Sequence, residues 1–412
     1  MELPTEYLRY ILKSVLRDLK IDPESEHESK QIAAHLLLSA LYRVTVHYNN
    51  GTNTKNFILK TLRTDPAIND KFETAVFFKN EVMFYTKVAV AFEIFQSQRL
   101  DEKYAPFHSY PICYKGICDS SSQVLVLEDL TERGFVESDR QKKLNFQELN
   151  LVMEEIGRFH ALSLAIKHKD PNLFTDLKNN SVKEAIFRTE FLHKTYNTWG
   201  SSVAAWVLKL AKESFQPGSL YITRLESFAT EDMVFIMKER ISPKIEDEQY
   251  NVFTHGDLWV NNLLFQYQET ENDSCMKPVK MKFVDFQNCR YGSVALDIAV
   301  VLFLFMDQEM RNNHRDELLQ AYHHSLCKFL SQFDCDPETI FPFCDLEVQL
   351  SKYSLYSLGM AFLCLSYNLT DDGEEDFVIQ ENEDSTVSRT TKECRSMIVD
   401  VIKECVDRGY LI

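Results

Sequence analysis

The sequence has no C-x-x-C pair, no apolar run of membrane length, no internal repeat and no low-complexity tract. Its ten cysteines are scattered between Cys113 and Cys405, which excludes a zinc ribbon or a thioredoxin-type site. Scattered cysteines in a chain without a signal segment read as reduced core thiols. The longest apolar stretch, Ile298 to Met306, falls far short of the roughly 20 residues a membrane helix needs. The start, Met1-Glu2-Leu3-Pro4-Thr5-Glu6, lacks a basic segment followed by an apolar one, so the expected compartment is cytoplasmic. Basic charge is in deficit: Lys plus Arg total 45 and Asp plus Glu 62, a net −17 over 412 residues. A surface of that sign repels phosphate backbones and anionic lipid, which argues against nucleic-acid and membrane partners. Hydrophobic residues at 45% are enough to bury a large core, in two to three domains or two lobes around one cleft. No coiled-coil heptad is present, and a monomer is expected.

What is present is ordered. Leu8, Ile11, Leu12, Val15, Leu16 and Leu19 fall at helical spacing over residues 5–20, with Thr5 as N-cap. Arg43–Tyr48 and Asn56–Leu62 read as strands joined through Asn49-Asn50-Gly51-Thr52-Asn53, a hairpin. Asp70–Phe95 reads as one long helix with Phe78, Val82, Tyr85 and Ala89 on a face. Gln123–Leu127 is a short apolar strand. Helical patterns then dominate, with Val152, Ile156 and Phe159 on one stripe and a break at Pro217-Gly218. A strand patch at Leu263–Tyr267 and Met281–Phe286 flanks an expected polar loop from Gln268 to Pro278. The acidic run from Asp371 to Ser388 is expected to be a solvated loop.

The stretch Thr254-His255-Gly256-Asp257-Leu258-Trp259-Val260-Asn261-Asn262 contains H-x-D-x-x-x-x-N. About twenty residues on comes Phe283-Val284-Asp285-Phe286-Gln287. This spacing brings a carboxylate, an amide oxygen and a second carboxylate to one spot across a hairpin. Hard oxygen donors of that number suit Mg²⁺, which completes its shell with phosphate and water. Asp257 is then free to take a proton from an attacking hydroxyl, a division of labour found in phosphoryl transfer. That chemistry needs a lysine on an early strand, and Lys60 lies in Phe57-Ile58-Leu59-Lys60. It needs a glutamate on the next helix, and Glu81 is there. It needs an apolar strand entering a hinge, and Leu125-Val126-Leu127-Glu128-Asp129-Leu130 supplies one. The parts fall in kinase order.

These residues resemble the ecdysteroid kinase-like (CHK kinase-like) family of the choline kinase and aminoglycoside phosphotransferase superfamily. The matching text is His255-Gly256-Asp257-Leu258-Trp259-Val260-Asn261-Asn262 and Val284-Asp285-Phe286-Gln287. It continues through Tyr291-Gly292-Ser293-Val294-Ala295-Leu296-Asp297-Ile298-Ala299, Leu127-Glu128-Asp129-Leu130 and Gly157-Arg158-Phe159-His160-Ala161. The resemblance implies an ATP- and Mg²⁺-dependent kinase for a small lipophilic alcohol, an ecdysteroid or a xenobiotic. It implies Asp257 as catalytic base, Asn262 and Asp285 as metal ligands, Lys60 on the α/β-phosphates and Glu81 as its partner. It implies that backbone near Glu128 and Leu130 holds adenine. The family's phosphate turn reads roughly G-x-N-Y-x-S, where this chain has Ala34-His35-Leu36-Leu37-Leu38-Ser39. The glycine that lets backbone N–H groups approach phosphate is absent, and Ser39 remains to touch one.

The expected fold is α+β and two-lobed, protein-kinase-like, with an N-terminal lobe over residues 1–129 and a mainly helical lobe over 130–412. His255 is expected to shape the loop through backbone bonds, Asp297 to cap its helix or brace the catalytic loop, and His160 to be a packed core histidine. Two other readings stand beside the kinase. One is a pseudokinase-type binding module, motivated by the glycine-free segment. The other is a metal-dependent phosphohydrolase using Asp257 and Asp285, which leaves Lys60, Glu81 and the hinge unexplained.

Overall fold

The computed structural model describes residues 6–33, 39–62, 69, 73–119, 122–138, 143–188, 190–230, 232–270, 273–368 and 391–412. Thr5, the glycine-free segment 34–38, the start of the long helix at 70–72 and the acidic run 371–388 lie outside the described residues.

The amphipathic stripe near the start forms α1 (Glu6–Asp18). Five antiparallel strands follow: β1 (Glu26–Ala33), β2 (Ser39–Tyr48), β3 (Asn53–Leu62), β4 (Cys113–Cys118) and β5 (Gln123–Glu128). Their order in the sheet is β1-β2-β3-β5-β4. The hairpin turn uses Asn49 and Asn50 at φ of 53° and 55°, a left-handed conformation that asparagine tolerates better than most residues. Side chains alternate across the sheet. Val44, Val46, Phe57, Leu59, Val124 and Val126 pack on α1, while Leu125 and Leu127 join the main core on the inner face. Lys60 pairs with Leu125 and with Leu41, so the inner face also carries the lysine.

The long helix begins as α2 (Thr74–Met83), widens into a π-helical turn at Phe84–Val88 and continues as α3 (Ala89–Arg99). The expectation of one uninterrupted helix missed that turn. It shares the apolar spacing of its neighbours, and one extra residue per turn leaves no compositional mark. Phe78, Val82, Tyr85 and Ala89 are all buried.

After β6 (Phe135–Glu137) the chain is mostly helical. The elements are α4 (Phe146–Lys169), α5 (Pro171–Asn180), α6 (Glu190–Ser214), α7 (Leu220–Phe228) and α8 (Met233–Ile241). After the strand patch come α9 (Ala295–Leu304), α10 (Gln308–Ser331), α11 (Pro337–Ile340), α12 (Phe343–Asn368) and α13 (Lys392–Asp407). Asn145 and Glu148 form a capping box at the start of α4. Gly157 lets α4 and α10 cross closely, since a Cβ there would sit 2.5 Å from the carbonyl oxygen of Tyr322.

The strand patch contains β7 (Asn251–Thr254), β8 (Leu263–Thr270), β9 (Asp273–Phe283) and β10 (Arg290–Ser293). Here the expected polar loop is corrected. Gln268 pairs with Lys277 and Glu269 with Met276, so the hairpin runs on through it. A backbone ladder does not require apolar side chains where the ribbon stands in water. Cys113, Cys118, Cys289, Cys327, Cys335, Cys344, Cys364, Cys394 and Cys405 are free, and among the described residues no helix is long and apolar enough to cross a membrane.

Candidate active site

Lys60 is 4% exposed on the inner face of β3. Its Nζ lies 2.7 Å from Oε2 of Glu81 on α2 and 2.8 Å from Oδ1 of Asp285. Three sequence-distant residues thus meet at one ammonium group. Burial alone would lower the lysine's pKa, but the charges of Asp285 and Glu81 more than offset it and hold the group above its ordinary value. Asp285 follows β9 at φ 65° and ψ 66°, a strained left-handed position of the kind that clusters at functional sites. The turn aims its carboxylate at Lys60 and sends Phe286 the other way. Phe286 stacks on Phe84, the first residue of the π turn, at 3.6 Å between centroids and 5° between planes.

Asp257 stands in the loop after β7. Gln287 donates from Nε2 to its Oδ2 at 3.2 Å. Burial and then the neighbouring charge of Asp285 raise its pKa to about 6, against the pull of bonds from Gln287, Trp259 and Asn288. Asn262 donates from Nδ2 to the carbonyl of Asp257 at 2.8 Å, and its own carbonyl accepts from the N–H of Val284 at 3.0 Å. The two loops are therefore stitched together. Asn262 keeps its side-chain oxygen, and Asp285 has one carboxylate oxygen beyond the one facing Lys60. Among the described residues no group of three or more His, Cys, Asp or Glu is arranged for a metal. Two hard oxygen donors do fit Mg²⁺, which commonly takes one or two protein ligands and fills its shell from phosphate and water.

The loop's shape has identifiable causes. Gly256 adopts φ +78°, and a Cβ there would overlap the carbonyl oxygen of Asn288. Asp297, in the first turn of α9, accepts from the N–H of His255 at 2.7 Å and of Gly256 at 2.9 Å. It is the brace of the two expected roles; the cap position itself belongs to Val294. His160 Nε2 lies 3.2 Å from Asp297, and its Nδ1 3.0 Å from the hydroxyl of Tyr322. His255 accepts at Nδ1 from the N–H of Asp257 and contacts the carbonyl of Val284 through Nε2 at 3.0 Å. Those partners fix the neutral Nε2–H tautomer, and burial lowers the ring's pKa to match. With both nitrogens committed, the ring shapes the loop and has no free site for a substrate proton.

Ser39 is buried at the start of β2, paired with Leu62 on the side of the sheet that carries Lys60. Glu128 closes β5, its carboxylate accepting from Arg133 and from the N–H of Ile112. Leu130 packs with Phe135, Leu264 and Val284. Two contributors were missed at the sequence level. Asn80 donates to the carbonyls of Gln287 and Cys289 and accepts from the N–H of Lys183, tying α2 to the loop after Asp285. Arg43 bonds Asp129, the residue that follows β5. Nothing in the sequence singles out Asn80 beyond its place one position before Glu81, because it lies about 200° round the helix from the expected apolar face of Phe78, Val82, Tyr85 and Ala89.

A sequence profile for the ecdysteroid kinase-like family matches residues 36–334. No curated protein matches the chain. Among solved structures, the AMP-bound complex of spectinomycin phosphotransferase, APH(9)-Ia, is similar at 11% identity and a TM-score of 0.39, over 95% of this chain and 100% of that one.

Proposed function

The chain belongs to the ecdysteroid kinase-like family, and on that premise we propose that it transfers the γ-phosphoryl group of ATP to a hydroxyl of a small lipophilic alcohol, an ecdysteroid or a xenobiotic. The observation that carries the reading is the convergence of Glu81 and Asp285 on Lys60, at 2.7 and 2.8 Å, beside the loop that holds Asp257. Lys60 meets the α/β-phosphates and Glu81 holds it in place. Asp257 accepts the proton of the attacking hydroxyl, and burial beside Asp285 raises its pKa, which makes it a better base than an exposed aspartate. Asn262 and Asp285 are the residues that would hold Mg²⁺, which when bound supplies neutralisation of phosphate charge. The backbone at Glu128 and Leu130 takes the base, and Ser39 a phosphate. Phosphoryl transfer depends chiefly on position and charge, so a catalytic loop braced by Asp297 is the main structural requirement.

The test is incubation of the full chain with labelled ATP, Mg²⁺ and a panel of hydroxylated steroids, beside Asp257→Ala. Transfer by the wild type and its loss in the variant is the expected result; equal transfer by both removes Asp257 as base. Phosphate release with no acceptor present would instead support the phosphohydrolase.

A further inference from the structure

We propose that Arg43 holds the base of the nucleotide, acting as a flat cation fixed beside the hinge; this rests on the phosphotransferase reading above. Arg43 pairs with Ile58 in the β2–β3 ladder, two residues along from the Leu41–Lys60 pair. Directly opposed residues share a face, so Arg43 stands on the inner face with Lys60, while Val44 and Val46 turn to α1.

The guanidinium is not loose. Its Nε lies 2.5 Å from Oδ2 of Asp129, and its Nη2 reaches the Thr131 hydroxyl at 3.4 Å. Asp129 is 1% exposed, against 37% for the Arg43 side chain. The same carboxylate accepts from the N–H of Thr131 at 3.1 Å and from its hydroxyl at 2.7 Å. A second tether runs in parallel, from the N–H of Asn56 to Glu132 at 2.7 Å. An exposed ion pair contributes little, but a buried carboxylate needs its partner. The pair therefore sets where the guanidinium lies relative to the hinge residues Glu128 and Leu130.

The chemistry of a flat cation points the same way. Lys60 is committed to two carboxylates, and Asp257 adds a third negative group nearby. Arg43 is a further cation on the inner face, and its half-exposed plane is the kind of surface on which an aromatic base stacks. Asp129 and Thr131 take the Nε and Nη2 edge of the guanidinium, and 37% of the side chain stays exposed.

The experiment measures binding, so it does not depend on knowing the acceptor. Calorimetric titration of the full chain with Mg-AMP-PNP and with Mg-tripolyphosphate compares wild type, Arg43→Ala, Arg43→Lys and Asp129→Asn. The expected result for Arg43→Ala is about tenfold weaker binding of Mg-AMP-PNP, with Mg-tripolyphosphate within about twofold of wild type. Lysine, lacking the planar fork, should not restore affinity, and Asp129→Asn should fall between. Equal weakening toward both ligands, full rescue by lysine, or unchanged affinity in Arg43→Ala each overturns the assignment. A wild-type chain that fails to bind Mg-AMP-PNP overturns the phosphotransferase reading itself, and this inference with it.

Discussion

Replacing Asp297 tests how the loop at His255 and Gly256 is held. In Asp297→Ala the N–H groups of His255 and Gly256 lose their acceptors, at 2.7 and 2.9 Å, in a site where Asp297 and His255 are each 1% exposed. Each orphaned buried donor costs about 1–3 kcal/mol, and His160 loses its partner as well. A total of about 3–5 kcal/mol follows, the usual cost of breaking a buried charged contact. Unfolding entropy of about 2.1 cal/mol/K per residue gives about 0.9 kcal/mol/K for this chain. The melting temperature should therefore fall by about 3–6 °C, read by calorimetry or tryptophan fluorescence. Asp297→Asn retains one of the two backbone bonds and should lose about half as much. The pH dependence has a definite sign. Burial works to raise the pKa of Asp297, but the bond and charge of His160, with His255 and the N–H of Gly256, outweigh it and leave the group below its ordinary value. A carboxylate depressed in the folded state contributes its full stability above its unfolded pKa of about 3.9 and loses it as pH falls toward the folded value. The gap between wild type and Asp297→Asn should narrow below about pH 4. A melting temperature within 1 °C of wild type for Asp297→Ala, or a gap that widens in acid, would refute this account of the loop.

Three further substitutions probe other parts. Lys60→Met leaves two carboxylates without their cation and should cost about 3–5 kcal/mol; adding Glu81→Gln should recover part of the melting temperature and none of the phosphoryl transfer. Gly256→Ala combines a left-handed φ with overlap on Asn288, so a loss of about 1–3 kcal/mol should accompany a fall in turnover, checked by calorimetry beside the labelled-ATP assay. Gly157→Ala forces α4 away from Tyr322 and should destabilise by about 1–3 kcal/mol. It lies outside the proposed catalytic machinery, so turnover per folded molecule should stay close to wild type.

Much of the architecture was legible because period and spacing carry it. The stripe of α1, the hairpin at Asn49–Gly51 and the apolar strand of β5 each announce themselves by alternation, helical repeat or turn residues. The meeting of Lys60, Glu81 and Asp285 was readable as an ordered set of residue types, although no local pattern gives their distances. What was not legible lies where the determinant is tertiary. The β8–β9 ribbon carries polar residues that mimic a loop. Asn80 and Arg43 are polar residues whose partners, Gln287 and Asp129, are far along the chain. Ranking His255 as a loop-shaping residue rested on chemistry alone, and the hydrogen bonds to Asp257 and Val284 supply the geometry.

The wide turn at Phe84–Val88 divides one rod into two segments with independent phase. An α-helix advances about 100° per residue, so an uninterrupted rod would lock the direction of Glu81 to that of Phe92 and Phe95. The extra residue breaks that lock. The leading segment can aim Asn80 at the loop after Asp285 and Glu81 at Lys60 on β3, while the trailing one keeps Phe92 and Phe95 in the core. Removing a single residue there would restore regular winding and rotate one segment by about a quarter turn against the other. Either the lysine's partner or the aromatic packing would then face the wrong way, so this rod should tolerate substitution far better than a change in length.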